Sequence, residues 1–412
     1  MRSCPHTKSR GISRCVLQNL RGGRFLNPNI LIRNVSRGAS AVSDGDRVDL
    51  VVRAPRILTM SELGIIEDGC VAVSGGVISY IGGGGSCPKS EERLDLAHHL
   101  LMPGLIDAHA YTYLLAAGRS STDILGFRPG PDALYWSALF AYTTMLLSGV
   151  TTVRDSSHDP SILERAAQRS GIRVVASRLV EPGEDVVPWS EITIRTMDGW
   201  SPGSLTPGTG RVVLDVSDLE SPFDVGLVRS ASASIVAGAS IPLGAARVLK
   251  DAGVGLVITP SQALRGRWTG GILRMRSVGV DAALGTGIRS LYAIPNLLDE
   301  ARIALHLDAM GGFDPKPSPL IESMPSVAGS VLGGGVGRIA PGFRADMIAL
   351  DLRKPHLRFP SGDLSSALLF SANRGDFDYV LVNGEIVVED GRHRWLYPEG
   401  IARKLESVLS SS

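Results

Sequence analysis

The sequence predicts an α/β fold: a TIM-type (β/α) barrel carrying a β-sandwich domain built from N- and C-terminal strands. Three observations predict it. Strand-like and helix-like segments alternate from about Leu105 to Leu305, which implies a parallel sheet with helical crossovers. Short β-rich runs flank that body on both sides, so the two chain ends can pair in one small sheet domain. The 412 residues exceed one small core and fit one large α/β domain plus a smaller one.

The elements follow in order. Residues 1–43 form a basic tail or transit-like segment. Residues 44–102 are the N-terminal part of the sandwich. There "VDLVVRAPRIL", "GCVAVSGGVISYIG" and "RLDLAHHLLMPG" read as short strands, the second a hairpin on a Gly-Gly turn. "GGGGSCPKSEE" lacks the lysine and following helix of a phosphate loop, so it reads as a connection. Residues 103–335 are the barrel. "DALYWSALFAYTTMLLSG" is helical, with apolar residues three and four apart and Gly149 closing it. "VTTVRDSS" is a strand and "SILERAAQRSG" a helix capped by Ser161. The strands "IRVVASRLV", "VGLVITPS" and "VDAALGTG" then alternate with the helices "PLGAARVLKDAG", "GILRMRSVG" and "IPNLLDEARIALHLDAMGG". Arg178 to Val257 is compressed, which leaves room for a barrel of fewer than eight complete units. Residues 336–397 return to strands, including a hairpin on Asn-Gly in "VLVNGEIVVEDG". Residues 398–412 read as a C-terminal tail.

Composition excludes several classes. The net charge of +1 gives no signal for nucleic acid or a membrane surface. The longest uncharged apolar stretch, "ASASIVAGASIPLGAA", is too short to span a bilayer and carries Gly and Pro. Cys4, Cys15, Cys70 and Cys87 are scattered, with no CxxC and no histidine at ligand spacing. They read as free thiols in a reducing compartment, hence a cytoplasmic placement. The first 43 residues hold eight Arg or Lys and no acid. Gly and Pro break any amphipathic helix there, so a disordered tail is preferred; a transit peptide would place the protein in mitochondria.

Four stretches carry a resemblance: "LLMPGLIDAHAY", "LLSGVTTVRDSS", "VGVDAALGTG", and the pair "GRIAPGFRADMIALDLRKPHL" and "FDYVLVNGEIVVEDGR". The resemblance runs from about Val48 to His393. The chain resembles the amidohydrolase superfamily, within it the cyclic-amidine deaminase and triazine hydrolase group. The resemblance implies a hydrolase of non-peptide C–N bonds, deaminase-like, working through a zinc or iron ion at the barrel mouth. Such an ion lowers the pKa of bound water and supplies hydroxide at neutral pH. Two histidines two apart on the first barrel strand would share a face. Histidines from the fifth and sixth strands and an aspartate from the eighth complete the family's site.

This sequence departs from that pattern. His109 matches the first ligand and remains as a remnant metal ligand, but Tyr111 replaces the second. No histidine lies between His158 and His306. The fifth-strand position falls at Leu214 or Asp215, the sixth near Gly238, and the eighth-strand aspartate is Gly287. A catalytic zinc normally takes three protein ligands, and one imidazole cannot hold it. Tyr111, Asp155, His158, Asp218 and Gly287 are the candidate pocket residues. The expectation is a divergent, metal-free pseudoenzyme with no cofactor; zinc or iron enters only in the alternative, an active site rebuilt around His109, His158 and nearby carboxylates such as Asp218. Against that alternative, Asp155 and Asp159 also read as helix caps and His158 as a loop residue. His98 and His99 face opposite sides of one strand, His306 sits on an outer helix, and His356 is structural. "GGGVGRIAPG" opens a strand, not a helix, so its glycine spacing is no dinucleotide site. No GxSxG elbow is present. The expected partners are a small-molecule ligand and a second subunit, as a homodimer or with an active paralogue; nucleic acid and membrane are not expected.

Overall fold

The computed structural model describes residues 47–118, 126–181, 183–185, 189–195, 211–216, 234–237, 243–261, 271–291, 293–358 and 363–411. The basic tail, Asp218 and Gly238 lie outside them.

The N-terminal strands are β1 (Val48–Leu58), β2 (Ile65–Ser74), β3 (Val77–Gly83), β4 (Ser90–Asp95) and β5 (His99–Pro103). The barrel strands are β6 (Leu105–Ala110), β7 (Val150–Ser157), β8 (Arg173–Val180), β9 (Glu191–Arg195), β10 (Arg211–Asp215), β11 (Ser234–Ala237), β12 (Gly255–Ile258) and β13 (Ala282–Leu284). The chain ends with β14 (Met347–Asp351), β15 (Phe377–Val382), β16 (Glu385–Glu389) and β17 (Arg392–His393).

The two ends form one sheet, ordered β17-β16-β15-β14-β5-β1-β2-β3, with β4 also on β1. The seam between them is the antiparallel pair β5–β14, from Met347 opposite Pro103 to Asp351 opposite His99. Both hairpins turn where expected: Gly75 and Gly76 have φ of +58° and +74°, and Asn383 and Gly384 have +53° and +78°.

The second sheet runs β6 to β13 in sequence order, with every neighbouring pair parallel. It closes through a parallel bridge from Ala110 to Gly287. All eight strands are therefore present, and the compression seen in the sequence removes none of them. β9 is the strand that the sequence pattern did not single out. The chain enters β6 through Pro103-Gly104, where backbones meet closely: a Cβ on Gly104 would lie 2.0 Å from Thr151 Oγ1.

Two interiors result. Leu214, Ile235, Leu256 and Leu284 face the helices, while Val213, Val236, Val257 and Ala283 form a separate interior cluster closed by Ala328 and Leu332. Period-two alternation sorts them. On β9, Ile192 and Ile194 join the helix-side core, so Glu191, Thr193 and Arg195 point into the barrel.

Several local expectations are corrected. Asp159, not Ser161, caps helix Pro160–Ser170; its carboxylate accepts from Ser161 N at 3.1 Å. Asp155 caps no helix. The last residues form helix Pro398–Ser410, with Ile401 and Leu405 buried, where the sequence read as a tail. Cys70 and Cys87 are joined by a disulfide, against the reading of four free thiols; the β2–β3 hairpin and the turn Gly84–Ser86 bring their Cα atoms to 6.1 Å. Among the described residues no helix is long and apolar enough to cross a membrane.

Candidate active site

The barrel interior is polar in layers. Deepest, Arg154 of β7 pairs with Glu191 of β9 at 2.9 Å and donates to Ser234 of β11 at 2.9 Å. Above it, the hydroxyls of Ser156, Thr193 and Ser177 form a chain, with separations of 2.9 and 2.7 Å. The top layer lies at the C-terminal ends of the strands, the face where barrels of this kind place their chemistry. It holds His109, Tyr111, Arg195 and Asp215, each no more than 1% exposed.

Asp215, the last residue of β10, is the hub. The Tyr111 hydroxyl donates to its Oδ2 at 2.5 Å, and His109 Nε2 faces the same oxygen at 3.5 Å. Neither ring nitrogen of His109 has a hydrogen-bond partner among the described residues. The Tyr111 ring stands edge-on to the His109 ring, centroids 4.6 Å apart, and the Arg195 guanidinium lies 4.7 Å from the centroid of the same ring. Arg195 is held by Glu181 Oε1 at 2.7 Å and donates to the Tyr113 hydroxyl at 3.4 Å. Burial, and then the charge of Asp215, push the Tyr111 phenol well above its ordinary pKa, so it stays protonated and donating.

The first and last strands are tied by Asp107. Its carboxylate accepts from Thr286 N at 3.0 Å, from the Thr286 hydroxyl at 2.7 Å and from His109 N at 3.3 Å. Burial outweighs these bonds and lifts its pKa to about 7.

The other sequence candidates go elsewhere. Asp155 is fully buried and accepts from the Thr112 backbone at 3.1 Å, the Thr112 hydroxyl, and the Tyr142 hydroxyl at 2.8 Å. Burial raises its pKa to about 6. His158 contacts Arg128 through Nδ1, and its ring is 6.0 Å from that of Tyr113, which in turn is 5.9 Å from that of Tyr111. Burial, then Arg128, lowers its pKa to about 4. His109 and His158 are thus separated by two tyrosine rings. Asp218 lies outside the described residues. Gly287 closes the barrel, donating its N–H to His109 O at 2.8 Å.

Do these residues fit a divalent ion? His109 and Asp215 offer two donors, and the Tyr111 hydroxyl is engaged on Asp215. Where the family has its eighth-strand aspartate, Gly287 sits at φ +49°, and a Cβ there would lie 2.8 Å from Thr259 Cγ2. Among the described residues, no third His, Cys, Asp or Glu joins the His109–Asp215 pair at ligand spacing. Three protein ligands are the norm for catalytic zinc, so the described mouth does not fit the ion. The described residues do gather one such trio, His99, Asp351 and Asp378, on the β5, β14 and β15 sheet. Its carboxylates are already engaged: the Arg353 guanidinium donates to Asp351 Oδ1 at 3.1 Å and to Oδ2 at 2.7 Å, and Lys354 donates to Asp378 Oδ1 at 2.9 Å. It reads as an ion-pair network.

Arg195, Glu181 and Asp107 are the site residues that the sequence reading did not select. The alternation in "EITIR" was the available signal for Arg195.

No family model matches the chain. It is 24% identical to a 5-methylthioadenosine/S-adenosylhomocysteine deaminase of Pelotomaculum thermopropionicum, over 83% of this chain and 93% of the relative. It is 25% identical to a deaminase of the same description from Caldanaerobacter subterraneus subsp. tengcongensis, with the same coverage. Among solved structures, a zinc-bound adenosine deaminase from Xanthomonas campestris matches with a TM-score of 0.76 at 16% identity, covering 89% of this chain and all of that one. Atrazine chlorohydrolase from Arthrobacter aurescens TC1, complexed with zinc, matches at 0.70 and 18% identity, covering 87% and 100%.

Proposed function

We propose a role from a fixed premise: the chain belongs to the amidohydrolase superfamily. Within it, this protein is a deaminase-like member that no longer hydrolyses. It binds no metal at the barrel mouth and serves as a binding protein, for a small molecule at the mouth or for a second subunit that is another copy or an active relative.

One observation carries this reading. The carboxylate that faces His109 is committed to the Tyr111 hydroxyl at 2.5 Å, inside a layer with almost no exposed surface. A metal-hydroxide mechanism needs a cation with an open position and a water to activate. At the mouth Arg195 is instead paired with Glu181 and Tyr111 with Asp215, which leaves the His109 ring facing an already engaged carboxylate.

The test is metal analysis and turnover on the purified full chain. Expected are substoichiometric zinc, iron and manganese. No ammonia above background should be released from 5-methylthioadenosine or S-adenosylhomocysteine, with or without added metal. One metal per chain that is lost in His109→Ala, with chelator-sensitive ammonia release, would overturn the reading. A metal lost in His99→Ala instead would belong to the sandwich trio. Mass in solution, alone and with an active relative, addresses the subunit role.

A further inference from the structure

We infer that Tyr111 is the residue that excludes a metal ion from this barrel, and that His109 and Asp215 beneath it still stand at ligand spacing. This rests on the metal-free reading and deepens it by assigning the cause to one side chain.

The geometry is specific. His109 Nε2 and Asp215 Oδ2 are 3.5 Å apart. A tetrahedral zinc with bonds of about 2.1 Å holds neighbouring ligand atoms about 3.4 Å apart. Two buried donors, one imidazole and one carboxylate, therefore keep the separation of two ligands of one ion. What occupies the third direction is Tyr111. Its hydroxyl proton is directed to the same Asp215 oxygen. Its ring fills the space between the His109 ring and the Arg195 guanidinium, at 4.6 and 4.7 Å.

Two effects add up. The phenol proton engages the lone pair that an ion would take, the phenol oxygen lying 2.5 Å from Asp215 Oδ2. Arg195, paired with Glu181, adds a fixed positive charge to the same layer, where low dielectric strengthens its repulsion of a second cation. An imidazole in place of the phenol would remove the wedge and supply a third donor at once.

The experiment uses the full-length protein and Co(II), whose visible absorption reports coordination. Wild type and Tyr111→Phe are expected to bind no Co(II), because the ring remains in both. Tyr111→His is expected to bind one Co(II) per chain, at least about 100-fold more tightly than wild type, and to lose it in Tyr111→His/Asp215→Asn. Tyr111→Cys is the second route: a thiolate there should give a cobalt charge-transfer band even if the imidazole variant fails to fold. If variants that melt cooperatively bind no more Co(II) than wild type, Tyr111 is not the excluding residue, and the metal-free reading stands. If wild type itself binds one Co(II) that His109→Ala abolishes, both fall.

Discussion

Asp107 on the first barrel strand receives both the backbone N–H and the hydroxyl of Thr286, which follows the last strand, at 3.0 and 2.7 Å. This pair, beside the Ala110–Gly287 bridge, joins the two edges of the sheet and so holds the mouth closed. Replacing Asp107 with Ala orphans three buried donors, counting His109 N–H. Each unsatisfied group costs about 1–3 kcal/mol, so a loss of about 3 kcal/mol or more in urea unfolding is expected. A change under about 1 kcal/mol would mean that the bridge closes the barrel without it.

Asp155 offers a second structural test. It was a candidate for a rebuilt catalytic site, yet its carboxylate is saturated by Thr112 and Tyr142. Asp155→Ala should lower the melting temperature markedly, at a cost of about 2–4 kcal/mol, with Asp155→Asn milder because one oxygen is kept. An alanine variant as stable as wild type would return Asp155 to the list of functional residues.

The buried ion pair Arg154–Glu191 lies at the base of the barrel. Glu191→Ala strands a guanidinium with no exposed surface, at a cost of about 3–5 kcal/mol. Arg154→Met/Glu191→Leu should be less damaging than that single change, because no charge is left unpaired. Additive losses in the double-mutant cycle would contradict the pairing.

Glu300 links stability to pH. It is fully buried beneath Ser261, and burial outweighs its bonds to Ser261 and Arg289, lifting its pKa to about 7. A carboxyl whose folded pKa exceeds its unfolded value contributes fully below the unfolded pKa. That contribution is lost as pH rises through the folded one. From about pH 4.5 to 7 wild type should therefore lose stability relative to Glu300→Gln, in which Arg289 keeps Asp299 at 2.7 Å. Urea midpoints at pH 5 and 8 measure this; an equal gap between the two proteins at both would refute it.

The disulfide makes the last prediction. Cys70 and Cys87 close a loop of 17 residues, worth about 3 kcal/mol in chain entropy. Reductant should lower the unfolding midpoint of wild type and leave Cys70→Ser/Cys87→Ser unchanged. Equal sensitivity of both proteins would show that the two thiols are not joined.

Local chemistry made much of the fold legible. Pro103-Gly104 before "LIDAHA", Gly149 ending a helix, and Asn383-Gly384 between two apolar runs each impose one backbone course. β9 escaped notice because five residues give only a short alternation, "EITIR", beside a compressed region. The cysteine pairing escaped because spacing of 17 residues says nothing until the β2–β3 register is known.

For the site, sequence alone determined which side chains stand at the strand ends. It put His109 and Tyr111 two apart on one strand, Gly287 where an acid was expected, and no histidine between His158 and His306. Only the tertiary structure decided what those residues do to one another. Tyr111 and Asp215 are 104 positions apart and share a hydrogen bond because parallel strands converge at a closed mouth. Burial there leaves each charge no partner but its neighbours, and that condition, invisible along the chain, turns a list of substitutions into one interlocked layer.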